Sequence, residues 1–363
     1  MSYTIAEIAK SLEADCVGDT GLRVAGAAEP QSAGPGDLAL AMSPKYAEGL
    51  STGSAQAAML WPGADWEALG LKAAILPARP RYAMSGMTKM LDRGQGFAPG
   101  IHPSAIIDPT AELADDVQVG PLAIISAGAK IGAGSVIGPH CFIGVDVTLG
   151  EGAYLREQVS IGARTTIGKR CIMQPGACIA GDGFSFVTAE PSAVEAARKS
   201  LGDQGEAQAQ PWIRIHSLGS VTIGDDVEIG MACTIDCGTI RDTRIGNNTK
   251  LDNQVHLGHN VEVGDNCLLC GQVGIAGSVK IGNNVVLGGQ CGVSDNIFIG
   301  DGVIAGGGTK LLSNVPAGRT MLGYPATQMD KQMDQYKALR RLPRLIKDVA
   351  ALRKAVSKSD ADD

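Results

Sequence analysis

Five histidines, His102, His140, His216, His256 and His259, are the chain's natural proton carriers near neutral pH. Two of them fall in the stretch Leu251-Asp252-Asn253-Gln254-Val255-His256-Leu257-Gly258-His259-Asn260-Val261, where the Asp252 carboxylate precedes His259 by seven residues. Gly277 follows His259 by 18 residues and Asn296 by 37. A base, a carboxylate and a backbone N–H able to hold an oxyanion would suit acyl transfer, if the fold sets them along one edge. By spacing alone, His259 reads equally well as an ordinary surface imidazole. There is no G-x-S-x-G elbow, P-loop or Rossmann fingerprint, so serine hydrolysis and nucleotide phosphate transfer lack support. Cys267 and Cys270 form a lone CxxC, which reads as structural because a zinc site needs a second pair. No metal is expected.

The element that must position these residues is set by a six-residue rhythm. An aliphatic residue (or Met173) stands at every sixth position from Ile101 to Ile179, and the count resumes at Ile223, Ile229 and Ile235. After a four-residue slip it runs from Ile245 to Leu311, giving 29 hexads in all. This period fits neither an α-helix nor an alternating strand; it is the signature of a left-handed parallel β-helix. Each hexad makes one side of a triangular prism, so 18 residues complete a coil. Gly277 therefore stacks one coil above His259, Asn296 lies two coils and one residue further on, and Asp252 sits on the preceding side. About ten coils at ~4.8 Å each give a prism roughly 45–50 Å long.

A second inward position, two residues before the aliphatic one, must be small, and five of the nine cysteines (Cys141, Cys171, Cys233, Cys267, Cys291) occupy it as small hydrophobes. Gly often follows the aliphatic residue, which suits corners needing positive φ. The 49 Gly and the 4% aromatic content fit such a prism better than a globular core. Free cysteines, no signal peptide and no apolar run of membrane-spanning length imply a cytoplasmic protein without a membrane span. Net charge −7 argues against nucleic acid as partner.

Three regions follow. Residues 1–98 lack the hexads and read as a small α/β domain, with helices over Ile5–Leu12 and Ala83–Leu91. Residues 99–324 form the β-helix, interrupted by an insert at 182–216. The insert opens Asp182-Gly183-Phe184-Ser185-Phe186 and continues polar and Ala-rich, which suggests a loop whose Phe residues wall a ligand. Residues 325–363 turn helical: Leu342, Leu345, Val349, Leu352 and Val356 form a coiled-coil seam, with a break or helix start near Pro343 and a frayed tail at Asp360–Asp363. Lys337, Arg340, Arg341, Arg344, Lys347, Arg353 and Lys354 make this segment basic, either a solvated face or a dock for an acidic protein. Flat prism faces favour a homotrimer, which the C-terminal seam would tie together.

The segment Leu251–Val261, with Val263-Gly264-Asp265, resembles the catalytic segment of the UDP-3-O-(3-hydroxyacyl)glucosamine N-acyltransferases, a hexapeptide-repeat family of lipid A synthesis. Thr234-Ile235-Asp236, Gly181-Asp182-Gly183-Phe184 and Ser43-Pro44-Lys45-Tyr46 also match, as does the domain order. The resemblance implies transfer of a 3-hydroxyacyl chain from acyl carrier protein to the 2-amino group of a UDP-glucosamine-type lipid, in the cytoplasm of a Gram-negative bacterium. It implies His259 as general base, Asp252 orienting it, and the Gly277 N–H stabilising the oxyanion. It also implies Tyr46 stacking on uracil, and substrate contacts from Asn253, Asn260, Asn296 and Phe184. No separate cofactor is implied, because the acyl group rides on phosphopantetheine. The basic helices would receive the acidic carrier. The chain departs from the common pattern at Asn296, where many members carry His, and at Leu40, Ser43 and Cys237, where Phe, Asn and Arg are usual.

Three rival readings remain. A sugar-nucleotide acetyltransferase using acetyl-CoA would share the prism. A zinc carbonic anhydrase would need three gathered histidines. A non-enzymatic scaffold would be indifferent to His259.

Overall fold

The computed structural model describes residues 2–359 apart from 201, 207, 324 and 325, with side chains to 354. Pro325, the side chain of Val356 and the Asp360–Asp363 tail lie outside the described residues. The chain divides into two compact units, Met1–Phe97 and Ala98–Asp363.

In the first unit, five strands form a sheet in the order Asp15–Gly18, Ala73–Leu76, Ala57–Met59, Asp37–Leu40, Gly26–Ala28. Only the Asp15–Gly18 edge runs antiparallel. The helix Ile5–Ser11 starts at a capping box: the Glu7 N–H donates to Thr4 Oγ1 and the Thr4 N–H to Glu7 Oε2. The second helix runs Pro80–Leu91, three residues earlier than expected, because Pro at the first helical turn needs no N–H partner. Ile5, Ile8, Leu38, Met59, Ile75 and Met87 fill the core between helices and sheet.

The second unit is the left-handed β-helix. Its three parallel sheets hold 10, 10 and 9 strands, each strand two to four residues long. Partners are 18 residues apart wherever the rhythm is unbroken, as with Leu257 and Ile275 or Ile275 and Val293. Across the insert the step becomes 56, from Thr166 to Thr222. Across the slip it becomes 22, from Thr234 to His256. The aliphatic residues from Val119 to Leu311 are buried in one continuous core. At roughly 25 cal/mol per Å² of apolar surface, this stack is what holds the coils together.

Two expectations about the corners need correction. The glycine after each aliphatic residue does not adopt positive φ; the residue two places later does, as at Asn248, Asn260, Asn266, Asn284 and Asn296. Asn tolerates that conformation because its short polar side chain bonds locally. The glycine is needed for close approach instead. A Cβ on Gly246 would lie 2.6 Å from the carbonyl carbon of Gly264, and one on Gly264 2.6 Å from the carbonyl oxygen of Gly282.

The inward cysteines, for their part, do more than fill space. The thiols of Cys141, Cys233, Cys267 and Cys291 donate to the carbonyls of Arg156, Asp252, Gly282 and Gly306 at 3.0–3.1 Å. Ser135 and Thr249 make the equivalent bonds to Gly150 and Gly264. The small position thus also satisfies a corner carbonyl that the sheets leave over.

The insert is not a plain loop. Ser192 and Glu195 exchange side-chain and backbone hydrogen bonds, and a helix follows over Ala193–Ser200. Phe186–Val187 pairs with Ile213–Arg214 as a short hairpin. The C-terminal helix runs Met329–Ser359 straight through Pro343 instead of breaking there. Proline removes one hydrogen bond, and the turns on either side carry the helix across it. Leu342, Leu345, Val349 and Leu352 are all exposed along it. No helix among the described residues is long and apolar enough to cross a membrane.

Candidate active site

A cavity of about 1180 Å³ lies between the insert and one outer face of the prism. On that face the outward residues of successive coils are Thr234, His256, Gly274, Gly292 and Lys310. The floor therefore consists of two glycines. A side chain at Gly274 would meet nothing within 4 Å, so the space above it is open for a ligand. The insert supplies the opposite wall through Phe184, Phe186, Trp212 and the Ala193–Ser200 helix. Arg214 stacks 4.7 Å from the Phe186 ring, and Phe184 packs edge-on against Phe186 at 5.1 Å. Arg198 pins the helix to the prism by pairing with Asp295 at 3.2 Å.

His259 lies at the inner end of the cavity, at the corner after the strand His256–Leu257. Two glycines clasp it. A Cβ on Gly183 would come within 2.8 Å of its Cβ, and one on Gly277 within 2.7 Å of Cε1 and Nε2. The Gly277 N–H has no hydrogen-bond partner among the described residues. On the other side of the ring, Nδ1 lies 3.0 Å from Asn260 Oδ1. The orientation of the Asn260 amide follows from its other bonds: Nδ2 donates to the Arg241 carbonyl at 2.9 Å, and Oδ1 accepts the Thr239 N–H at 3.1 Å. Oδ1 can only accept, so a neutral His259 carries its proton on Nδ1. Nε2 is then the basic nitrogen, and Gly277 packs against the Cε1–Nε2 side of the ring.

The site residues expected from sequence separate into two groups. His259, Gly277, Asn296 and Phe184 line one cavity. Asn296 donates its backbone N–H to the Gly277 carbonyl and its side-chain amide to Asp295. Asp252, Asn253, Asn260 and Tyr46 are not among the residues lining that cavity. Asp252 is one prism side away, at its own corner, where it accepts the Asn253 N–H at 2.7 Å and lies beside Gly271. Seven residues are one hexad plus one, which carries the chain to a different corner of the triangle. Within one chain the orienting contact on His259 therefore comes from Asn260. Asn253 caps the Met231 N–H at 2.7 Å. Asn260 is buried, and its amide bonds to His259, Thr239 and Arg241. Tyr46 belongs to the N-terminal unit and is exposed on the short helix Pro44–Ala47.

Two residues that the pattern did not single out also line the cavity, Asp236 and His256. Burial holds the Asp236 carboxyl above the usual carboxylate range, and the charge of Asp182 adds to the rise. The positive ends of His256 and His259 and the Phe184 N–H oppose it. The available signal was the 22-residue step across the slip, which brings Thr234-Ile235-Asp236 directly beneath His256-Leu257-Gly258. The glycine floor had a signal too, since Gly274 and Gly292 precede their aliphatic residue rather than follow it.

A basic imidazole packed on a glycine, beside an open groove on a β-helix of hexapeptide repeats, is the arrangement of a hexapeptide-repeat acyltransferase. The bacterial transferase hexapeptide model (six repeats) matches residues 110–145 and 242–277. The chain is 68% identical to the UDP-3-O-acylglucosamine N-acyltransferase of Ruegeria pomeroyi, over 99% of both chains. It is 62% identical to that of Paracoccus denitrificans, over 72% of this chain and 71% of the relative. Among solved structures, the UDP-N-acetylglucosamine acyltransferase of Arabidopsis shares the fold, with a TM-score of 0.52 and 22% identity over 62% of this chain and 71% of that one. The chain belongs to the UDP-3-O-acylglucosamine N-acyltransferases.

Proposed function

We propose that the chain transfers a 3-hydroxyacyl group from the phosphopantetheine thioester of acyl carrier protein to the 2-amino group of UDP-3-O-(3-hydroxyacyl)glucosamine. One observation carries the site assignment: His259 is held with Nδ1 on Asn260, which leaves Nε2 basic, and its ring packs against Gly277. Nε2 accepts a proton from the amine as its nitrogen attacks the thioester carbon. The Gly277 N–H then donates to the oxygen that becomes negative, and such a donor is typically worth ~10²–10³ in rate. The tetrahedral intermediate collapses with loss of thiolate, leaving the amide. Asn296 steadies the Gly277 segment through its backbone bond. The glycine floor and the Phe184–Phe186 wall accommodate the acyl chain. Tyr46 stacks on the uracil. The protein requires no cofactor of its own.

The acidic carrier docks on the basic helix Met329–Ser359. Three copies assemble through the apolar stripe of that helix and the flat faces of the prism, and the reaction takes place in the cytoplasm. The test is amide formation with UDP-3-O-acylglucosamine and 3-hydroxyacyl carrier proteins, set against acetyl-CoA as rival donor. Product is expected only from the carrier protein, and His259→Ala should lower kcat by about 10²–10⁴. A variant as active as wild type would remove His259 from the mechanism.

A further inference from the structure

The reaction moves two protons in opposite senses: one leaves the amine nitrogen, and one joins the departing sulfur. His259 accounts for the first. A second imidazole lines the same cavity, on the strand His256–Leu257. His256 is exposed, and its Nδ1 is held 2.8 Å from Thr234 Oγ1 on the coil below. Strand alternation turns Thr234 and Asp236 outward together, so a hydroxyl and a carboxylate sit side by side under this ring. The titratable and charged groups facing the cavity besides His256 are Glu195, Arg198, Asp236, His259, Asp295 and Lys310. Arg198 and Asp295 satisfy each other, whereas Asp236 interacts with both histidines.

Resting on the function proposed above, we propose that His256 is a second catalytic residue, the general acid that protonates the leaving thiolate. The C–N bond forms as the amine proton passes to His259. The C–S bond then breaks with its electron pair on sulfur, and the imidazolium of His256 gives its proton to that sulfur. Amine and thioester thus become amide and thiol. His259 then releases one proton to solvent and the exposed His256 takes one up, which restores the starting state. Asp236 provides the counter-charge for the imidazolium of His256, and Thr234 fixes the ring's orientation.

The discriminating variable is the leaving group. His256→Gln, at an exposed position, keeps the fold and should lower kcat with the natural alkyl thioester by about ten- to a hundredfold. This is at or below the usual ~10²–10⁴ for general acid–base catalysis, because a thiol of pKa about 8.5 leaves readily. An aryl 3-hydroxyacyl thioester, whose more acidic thiol needs no proton to depart, should restore the variant to near wild-type kcat. His259→Ala should be defective with both donors. The alkaline branch of the pH–kcat profile, where a general acid loses its proton, should flatten in His256→Gln with the alkyl donor, while the acidic branch set by the base stays. An equal loss with both donors would overturn the acid assignment, as would no loss with either. Neither result would touch the role of His259. Wild type inactive with every acyl donor would instead overturn the function itself.

Discussion

At the scale of single residues, the site depends on atoms that are missing as much as on those present. Gly277→Ala would place a methyl group 2.7 Å from His259 Nε2, while the backbone there needs no positive φ. The imidazole must move, and a displacement of about 1 Å costs roughly 10²-fold. We expect that loss in kcat with an unchanged Tm, measured side by side. Asp236 permits a prediction of stability instead. Its pKa is raised in the folded state, chiefly by burial, so the folded protein is penalised once pH exceeds the ordinary carboxylate value of about 4 and the full cost is reached above the raised value. Asp236→Asn should therefore raise Tm at pH 7, and the advantage should shrink as pH falls towards 4. A difference in Tm independent of pH would refute this reading. His259 and Gly277 were legible in the sequence because a uniform step of 18 joins them. Asp236 and His256 were not, because the slip between them changes the step to 22. Asp252 stands on the preceding side of the prism, where the same count of residues places it.

At the scale of elements, each hexad is a small set of rules that now have distinct causes. The glycine after the aliphatic residue avoids the backbone of the next coil, and the residue two places on absorbs the left-handed turn. These roles make opposite predictions for one type of exchange. Gly264→Ala should destabilise by about 1–3 kcal/mol, the range for overpacking, whereas Asn266→Gly should be close to neutral. The inward corner gives a third case. Cys233→Ser keeps a donor for the Asp252 carbonyl, while Cys233→Ala leaves that carbonyl unpaired at a cost of about 1–3 kcal/mol. Chemical denaturation of the four variants would rank them. The period announced the prism, but not why each position in it has its residue; that depends on the neighbour one coil above. The insert was less legible still, since its helix was signalled only by Ser192 and Glu195 in a stretch that otherwise reads as polar loop.

At the scale of the whole molecule, the helix Met329–Ser359 leaves Met333, Tyr336, Leu339, Leu342, Leu345, Val349 and Leu352 exposed. Spacings of three and four along a helix this long are those of a seam between helices. The protein should sediment as a trimer, and truncation before Met329 should weaken the assembly. A truncated chain with the same sedimentation as the full one would place the contact on the prism faces alone. If the basic residues interleaved with the stripe receive the carrier as proposed, its affinity should fall with salt, which a titration between low and high ionic strength would measure.

The insert has one more consequence. It lengthens a single connection, from the 18-residue step that is usual here to 56, while Thr166–Ile167 still pairs in register with Thr222–Ile223 and the strand entering it, Cys178–Gly181, absorbs one bulge. Closing a loop about three times longer costs only about 1 kcal/mol, because the entropy grows with the logarithm of length. The prism is thus nearly indifferent to what is spliced between the strands Cys178–Gly181 and Val221–Ile223. The wall facing His259 can be exchanged, lengthened or trimmed over evolutionary time while the catalytic corner stays as it is. A descendant of this chain could acquire a new acyl preference by changing a segment on which the stability of its coils hardly depends.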